Sequence, residues 1–202
     1  MLKRICRLIK GDASKKKSCS CLIIALFFYL FFSFTCQAES GPPEIKNVLL
    51  AQCQTELCLN FSLNGGLTQN IEKILQSGIP VKYIFEISLK RKRLLWDDEL
   101  KHIELIRTIL LDNIRNEYIL TFYYPTTRII TVSNIDEAKQ YLFYIKQLPL
   151  IPLKALKKGD RYFINIKARA RKGETSMPFG RLVKMFSSFG FSTKSYEIEF
   201  RY

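Results

Sequence analysis

Between Val81 and Leu89 the chain alternates with a period of two. Val81, Tyr83, Phe85, Ile87 and Leu89 share one face, and Lys82, Glu86 and Ser88 lie on the other, with Ile84 as the exception. Successive side chains of a strand point to opposite faces, so the segment predicts a half-buried strand. The pattern returns in Arg161–Arg171, where Tyr162, Ile164, Ile166, Ala168 and Ala170 alternate with mostly polar neighbours, and again in Tyr196–Tyr202. Ile45–Gln52 and Leu57–Leu63 read as a strand pair, as do Glu117–Tyr124 and Thr127–Val132 around Pro125. Lys101–Leu111 fits a strand through Ile103, Leu105, Ile109 and Leu111, and a helix through Ile103, Ile106 and Leu110. Its β-branched content and the Asp112-Asn113 turn select the strand.

Helical spacing is confined to short stretches. Thr68 caps a helix carrying Ile71, Ile74 and Leu75, which Ser77-Gly78 and Pro80 stop. Asn134 and Glu137 form a capping-box-like start to a second helix, with a buried stripe of Ala138, Leu142, Ile145 and Leu148 and an end at Pro149. Phe179–Phe186 predicts a short third helix. Roughly eight strands with two or three short helices predict a mainly β (α+β) domain, an antiparallel β-sandwich or curled sheet.

Leu22–Phe34 is an uncharged apolar run behind Lys15-Lys16-Lys17, and Cys36-Gln37-Ala38 follows with small residues where a signal peptidase reads. A positive start, a short apolar core and a small-x-small exit make residues 1–38 a signal peptide. Counted whole, residues 19–36 approach the roughly 20 residues that span a bilayer, so an uncleaved anchor is the alternative. Residues 39–44 form a linker and 45–202 one exported domain. The expected address is the periplasm, with anchoring in the inner membrane if the segment stays. Either way the lysines remain cytoplasmic.

The address changes how charge is read. The chain carries +14, but 7 of its 32 Lys and Arg and only Asp12 among its acids lie within residues 1–38, which leaves +8 for the rest. That excess suits an anionic membrane surface or an acidic partner. Export argues against nucleic acid. Four of the six cysteines (Cys6, Cys19, Cys21, Cys36) belong to the leader. Cys53 and Cys58 remain, flanking a predicted turn in a compartment where disulfides persist, and they pair if the hairpin brings their Cα atoms within about 7 Å. Two separate buried thiols are the alternative. One histidine and two cysteines supply no metal set.

Several segments, taken in order, carry a resemblance: Ser77-Gly78-Ile79-Pro80, Tyr83-Ile84-Phe85-Glu86-Ile87, Arg91, Arg93 and Trp96-Asp97. Leu111-Asp112-Asn113 with Tyr118, Leu156–Tyr162 and Phe186–Phe191 complete it. From about Ile45 to the C-terminus the chain resembles an uncharacterised family of bacterial exported proteins, domain of unknown function 4390. The resemblance implies a signal-bearing envelope protein with no assigned activity. It also implies, through gene neighbourhood, an accessory role beside a nitrogen-regulation-type sensor kinase. Leu111 departs from the aromatic that commonly precedes the family's aspartate.

Lys90-Arg91-Lys92-Arg93 beside Leu94, Leu95 and Trp96 is the sharpest surface feature. Basic and large apolar side chains on one loop dock on anionic headgroups or anchor a protein partner; a solvated strand end is the plain alternative. Arg91, Arg93, Trp96 and Asp97 are therefore the candidate interaction residues. Catalysis has fewer routes, because a nucleophile needs a base within reach and His102 is the only histidine. A periplasmic hydrolase or lyase using Asp97 or Asp98 with His102 is the alternative to a non-enzymatic binding module, against ordinary surface positions for all three. The sequence carries no cofactor motif.

Overall fold

The computed structural model describes residues 41–173 and 189–202. These hold ten strands, β1 (Glu44–Cys53), β2 (Glu56–Asn64), β3 (Val81–Arg91), β4 (Asp98–Asp112), β5 (Glu117–Phe122), β6 (Arg128–Val132), β7 (Tyr144–Pro152), β8 (Arg161–Lys172), β9 (Phe191–Ser192) and β10 (Tyr196–Arg201). Helices α1 (Gln69–Gln76) and α2 (Ile135–Phe143) and a 3-10 turn at Leu153–Ala155 complete them. All pairings are antiparallel, in a small sheet of order β1-β2-β7 and a larger one of order β10-β8-β3-β4-β5-β6. The expected mainly β sandwich is the observed fold, and the larger sheet stays open.

The period-two pattern sets the core. Tyr83, Phe85, Ile87 and Leu89 of β3 stand opposite Ala170, Ala168, Ile166 and Ile164 of β8, and all eight are buried. Leu57, Leu59, Phe61 and Leu63 of β2 supply the facing layer. Phe61 meets Phe85 edge to face with ring centroids 5.8 Å apart, which joins the two sheets. Tyr83 reaches further along, where its ring packs against Phe143 and its hydroxyl donates to the Gly66 carbonyl at 3.1 Å. Burial, with the Glu72 charge adding, pushes that phenol far above its usual range. A Cβ on Gly66 would come 2.8 Å from the Phe143 ring, so only glycine lets backbone and ring approach this closely.

Helix α1 is as predicted: Thr68 Oγ1 accepts from Ile71 N, and Ile71, Ile74 and Leu75 are buried. The second helix is shorter than its periodicity suggests. Asn134 Oδ1 accepts from Asp136 N to start α2, but α2 ends at Phe143, and Ile145 and Leu148 belong to β7. Both residues are still buried, because an edge strand delivers them to the same core. Pro149, read as the helix stop, and Pro152 sit in β7 where the small sheet ends and no further strand needs their missing N–H groups. The leftmost strand of the larger sheet is made in two pieces. β9 and β10 both pair with β8, and between them Thr193 N donates to Ala168 O while Thr193 Oγ1 accepts from Ala168 N. The hydroxyl thereby replaces a ladder carbonyl at a buried position.

Cys53 and Cys58 lie across the first turn, with Cα atoms 5.8 Å apart and sulfurs paired. They are diagonal rather than facing neighbours: Cys58 stands opposite Ala51, and Cys53 opposite Glu56. Among the described residues no helix is long and apolar enough to cross a membrane; the apolar leader and the helix expected at Phe179–Phe186 lie outside them.

Candidate functional site

β4 is the longest strand and pairs with β3, and the loop joining them projects from one end of the larger sheet. Its base is clamped. Asp98 Oδ2 accepts from Arg91 Nη2 at 2.5 Å and from Arg93 Nη2 at 2.8 Å, while Asp160 lies 3.5 Å from Arg91 Nη1. Lys92 N donates to the Arg161 carbonyl at 2.8 Å and ties the loop to β8. Beyond the clamp the side chains have nothing to pack on: Leu94 is 102 % exposed, Leu95 81 % and Trp96 75 %. A groove of about 540 Å³ runs beneath them, lined also by Lys157 and Asp160.

Hydrogen bonds from Arg91 and then Arg93 hold the Asp98 carboxyl below its usual range, and the bond to Asp98 raises the Arg91 guanidinium. The clamp is thus intact above the ordinary carboxylate range and is lost as pH falls through the depressed Asp98 value. Trp96 is the chain's only tryptophan and reports on the loop directly. Its emission is expected to stay constant from pH 7 down to about 4 and to move only below that. Asp98→Asn should show the released spectrum already at pH 7. A wild-type transition centred at or above the unperturbed carboxylate value would contradict the clamp.

Of the residues singled out in the sequence, Arg91, Arg93 and Trp96 come together on this groove. Asp97 is exposed, makes no hydrogen bond among the described residues and does not line the groove; its neighbour Asp98 holds the arginines. Asp98 and His102 fall on opposite faces of β4. β4 carries one extra residue, Leu100, between the pairs Leu89–Lys101 and Lys90–Glu99, which turns Asp98 towards Arg91 and the core side. His102 stands opposite Ser88 on the outer face, exposed, beside Glu104. The structure does not bring His102 and Asp98 together. Among the described residues no three His, Cys, Asp or Glu side chains converge as metal ligands.

Arg107, absent from the candidates above, carries a sequence signal of its own. It occupies the gap in the column Ile103, Leu105, Ile109, Leu111, an inward position of β4 opposite Tyr83. Its Nη1 donates to the carbonyls of Tyr141 (2.6 Å), Leu142 (2.8 Å) and Tyr144 (3.3 Å), the orphan acceptors where α2 ends. Its guanidinium lies 5.4 Å from the Phe122 ring centre and 5.9 Å from that of Phe85. Burial, with the Arg128 charge adding, pulls the guanidinium down to about 10. A cation therefore closes a helix end inside the fold.

The family model described as Domain of unknown function (DUF4390) matches residues 41–199. No curated protein and no solved structure matches the chain.

Proposed function

We propose that this protein, which belongs to the DUF4390 family, is a non-enzymatic binding module of the bacterial envelope that docks through the Leu94–Trp96 tip. The observation that carries the reading is three consecutive large apolar side chains held in solvent by a salt-bridged base. Leaving them there costs free energy unless a partner covers them, at about 25 cal/mol per Å² of apolar surface. Lys92 and Lys157 beside them are in no ion pair among the described residues, whereas Arg91 and Arg93 are neutralised at the base. Apolar side chains ringed by free lysines fit an anionic membrane surface best, with tryptophan at the headgroup level. The arginines, which the sequence alone suggests as contacts, instead set the position of the tip.

The test is partition of residues 39–202 onto vesicles. Wild type should bind phosphatidylglycerol vesicles, with a blue shift of Trp96 emission, and bind neutral vesicles far less. The triple variant Leu94→Ser, Leu95→Ser, Trp96→Ser should lose at least tenfold in partition at an unchanged circular dichroism spectrum. Equal partition of the two proteins removes the membrane reading. If the variant instead loses cross-linking to an envelope protein, a sensor kinase among them, the tip is a protein-docking site.

A further inference from the structure

The second large cavity lies on the other half of the molecule, where the β5–β6 hairpin faces the junction of α2 and β7. It measures about 580 Å³, and Arg107, Phe122, Arg128, Tyr141, Tyr144 and Lys146 line it. Arg107 and Asp98 lie nine positions apart on β4, about 30 Å along a strand, so this cleft is remote from the tip.

Its charge is unbalanced. Arg91, Arg93, Arg115, Arg161 and Arg169 each face a carboxylate in this domain. Arg107, Arg128 and Lys146 have none among the described residues, and no acidic side chain lines the cleft. Arg107 of β4 and Arg128 of β6 are the cross-strand neighbours of Phe122 on its two sides. Arg107 lies 5.4 Å and Arg128 5.3 Å from the centre of the same Phe122 ring, and the charge of Arg128 helps to depress Arg107. Only Nη1 of Arg107 is spent on the α2 carbonyls, which leaves its other N–H groups for a ligand. Two cations that line one cleft from either side of Phe122, without a counter-charge, form a site that favours an anion.

We propose that this cleft binds a phosphomonoester, with Arg107 and Arg128 holding the phosphoryl oxygens and Lys146 adding the third charge. A carboxylate brings a single charge, whereas a phosphomonoester brings about −1.5 to −2 and three acceptor oxygens, which matches three cations and the fork of an arginine. Tyr124, Tyr141 and Tyr144 form aromatic walls for the organic body that bears the phosphate. That body belongs to a soluble metabolite or to a lipid headgroup; the phosphoryl chemistry is common to both.

The full-length protein, held in a neutral detergent, is titrated calorimetrically with glycerol 3-phosphate and with short-chain dihexanoyl phosphatidic acid, at constant ionic strength in chloride. Saturable binding of at least one probe is expected, weakened tenfold or more by Arg128→Gln and by Lys146→Gln. Both positions are exposed, so the variants keep the fold, as circular dichroism will check. Tighter binding of the lipid probe assigns the headgroup, and tighter binding of the soluble one a metabolite. Substituting the Leu94–Trp96 tip should leave the affinity unchanged, which separates this site from the docking surface. Non-saturating heats, equal affinity in both variants, or loss of binding in the tip variant would overturn the proposal.

Discussion

Phe85→Ala is expected to lower the stability of the domain by about 3–5 kcal/mol, with a matching fall in the urea midpoint at an unchanged slope. Phe85 is fully buried in β3, with Ala168 on one neighbouring strand and Leu105 on the other. The alanine at 168 leaves room for the ring and is too small to refill the space it vacates. The substitution also removes the edge-to-face contact with Phe61, through which the small sheet grips the large one. Against a typical domain stability of about 5–15 kcal/mol, such a loss removes a large share of the folding free energy. Ser88→Ala serves as the control. It lies three residues along on the outer face of the same strand and should change stability by no more than about 0.5 kcal/mol. A cost below about 1 kcal/mol at Phe85 would mean that the sheets do not meet face to face as described.

Arg107→Ala should cost about 2–3 kcal/mol, because hydrogen bonds from a charged donor contribute about 1.5–3 kcal/mol and three carbonyls lose theirs together. Burial of the side-chain stem against Phe85 and Phe122 adds to the loss. Arg107→Met separates the two contributions, since it keeps the stem and deletes the donors. Arg107→Lys should recover little, because an ammonium is a point charge without the planar fork that reaches adjacent carbonyls and lies flat on a ring. The measurement is urea unfolding, supported by amide exchange in α2. That helix should open faster in the alanine and methionine variants while α1 is unaffected. Full stability of Arg107→Met would show that the arginine is not what ends α2.

Most of the fold is legible in the sequence because its central strands are half-buried, and a half-buried strand writes its pattern in every second residue. β3 and β8 illustrate this, and the loop at Leu94–Trp96 was readable for the same reason: it breaks the pattern with apolar residues that no strand needs. Four features were not legible. β7 reads as helix because Leu142, Ile145 and Leu148 satisfy a helical spacing across the point where the chain changes from α2 to a strand. β9 is two residues long, too short to show any period. Arg107 looks like an ordinary polar residue unless the column it interrupts is taken seriously, and its purpose depends on carbonyls more than thirty residues away. The pairing of Asp98 rather than Asp97 with the arginines follows from one bulge residue, Leu100, which inverts the alternation just before the loop.

Each sheet ends in strands that are poor templates for another chain. β1 changes register between Lys46 and Leu49, with Asn47 in the left-handed region. β7 carries two prolines and a left-handed Gln147; β10 alternates with Glu197, Glu199 and Arg201; and β6 is five residues long. An open sheet is normally an invitation to polymerise edge on edge. Here every edge is blunted, so copies brought side by side do not continue one another's sheets.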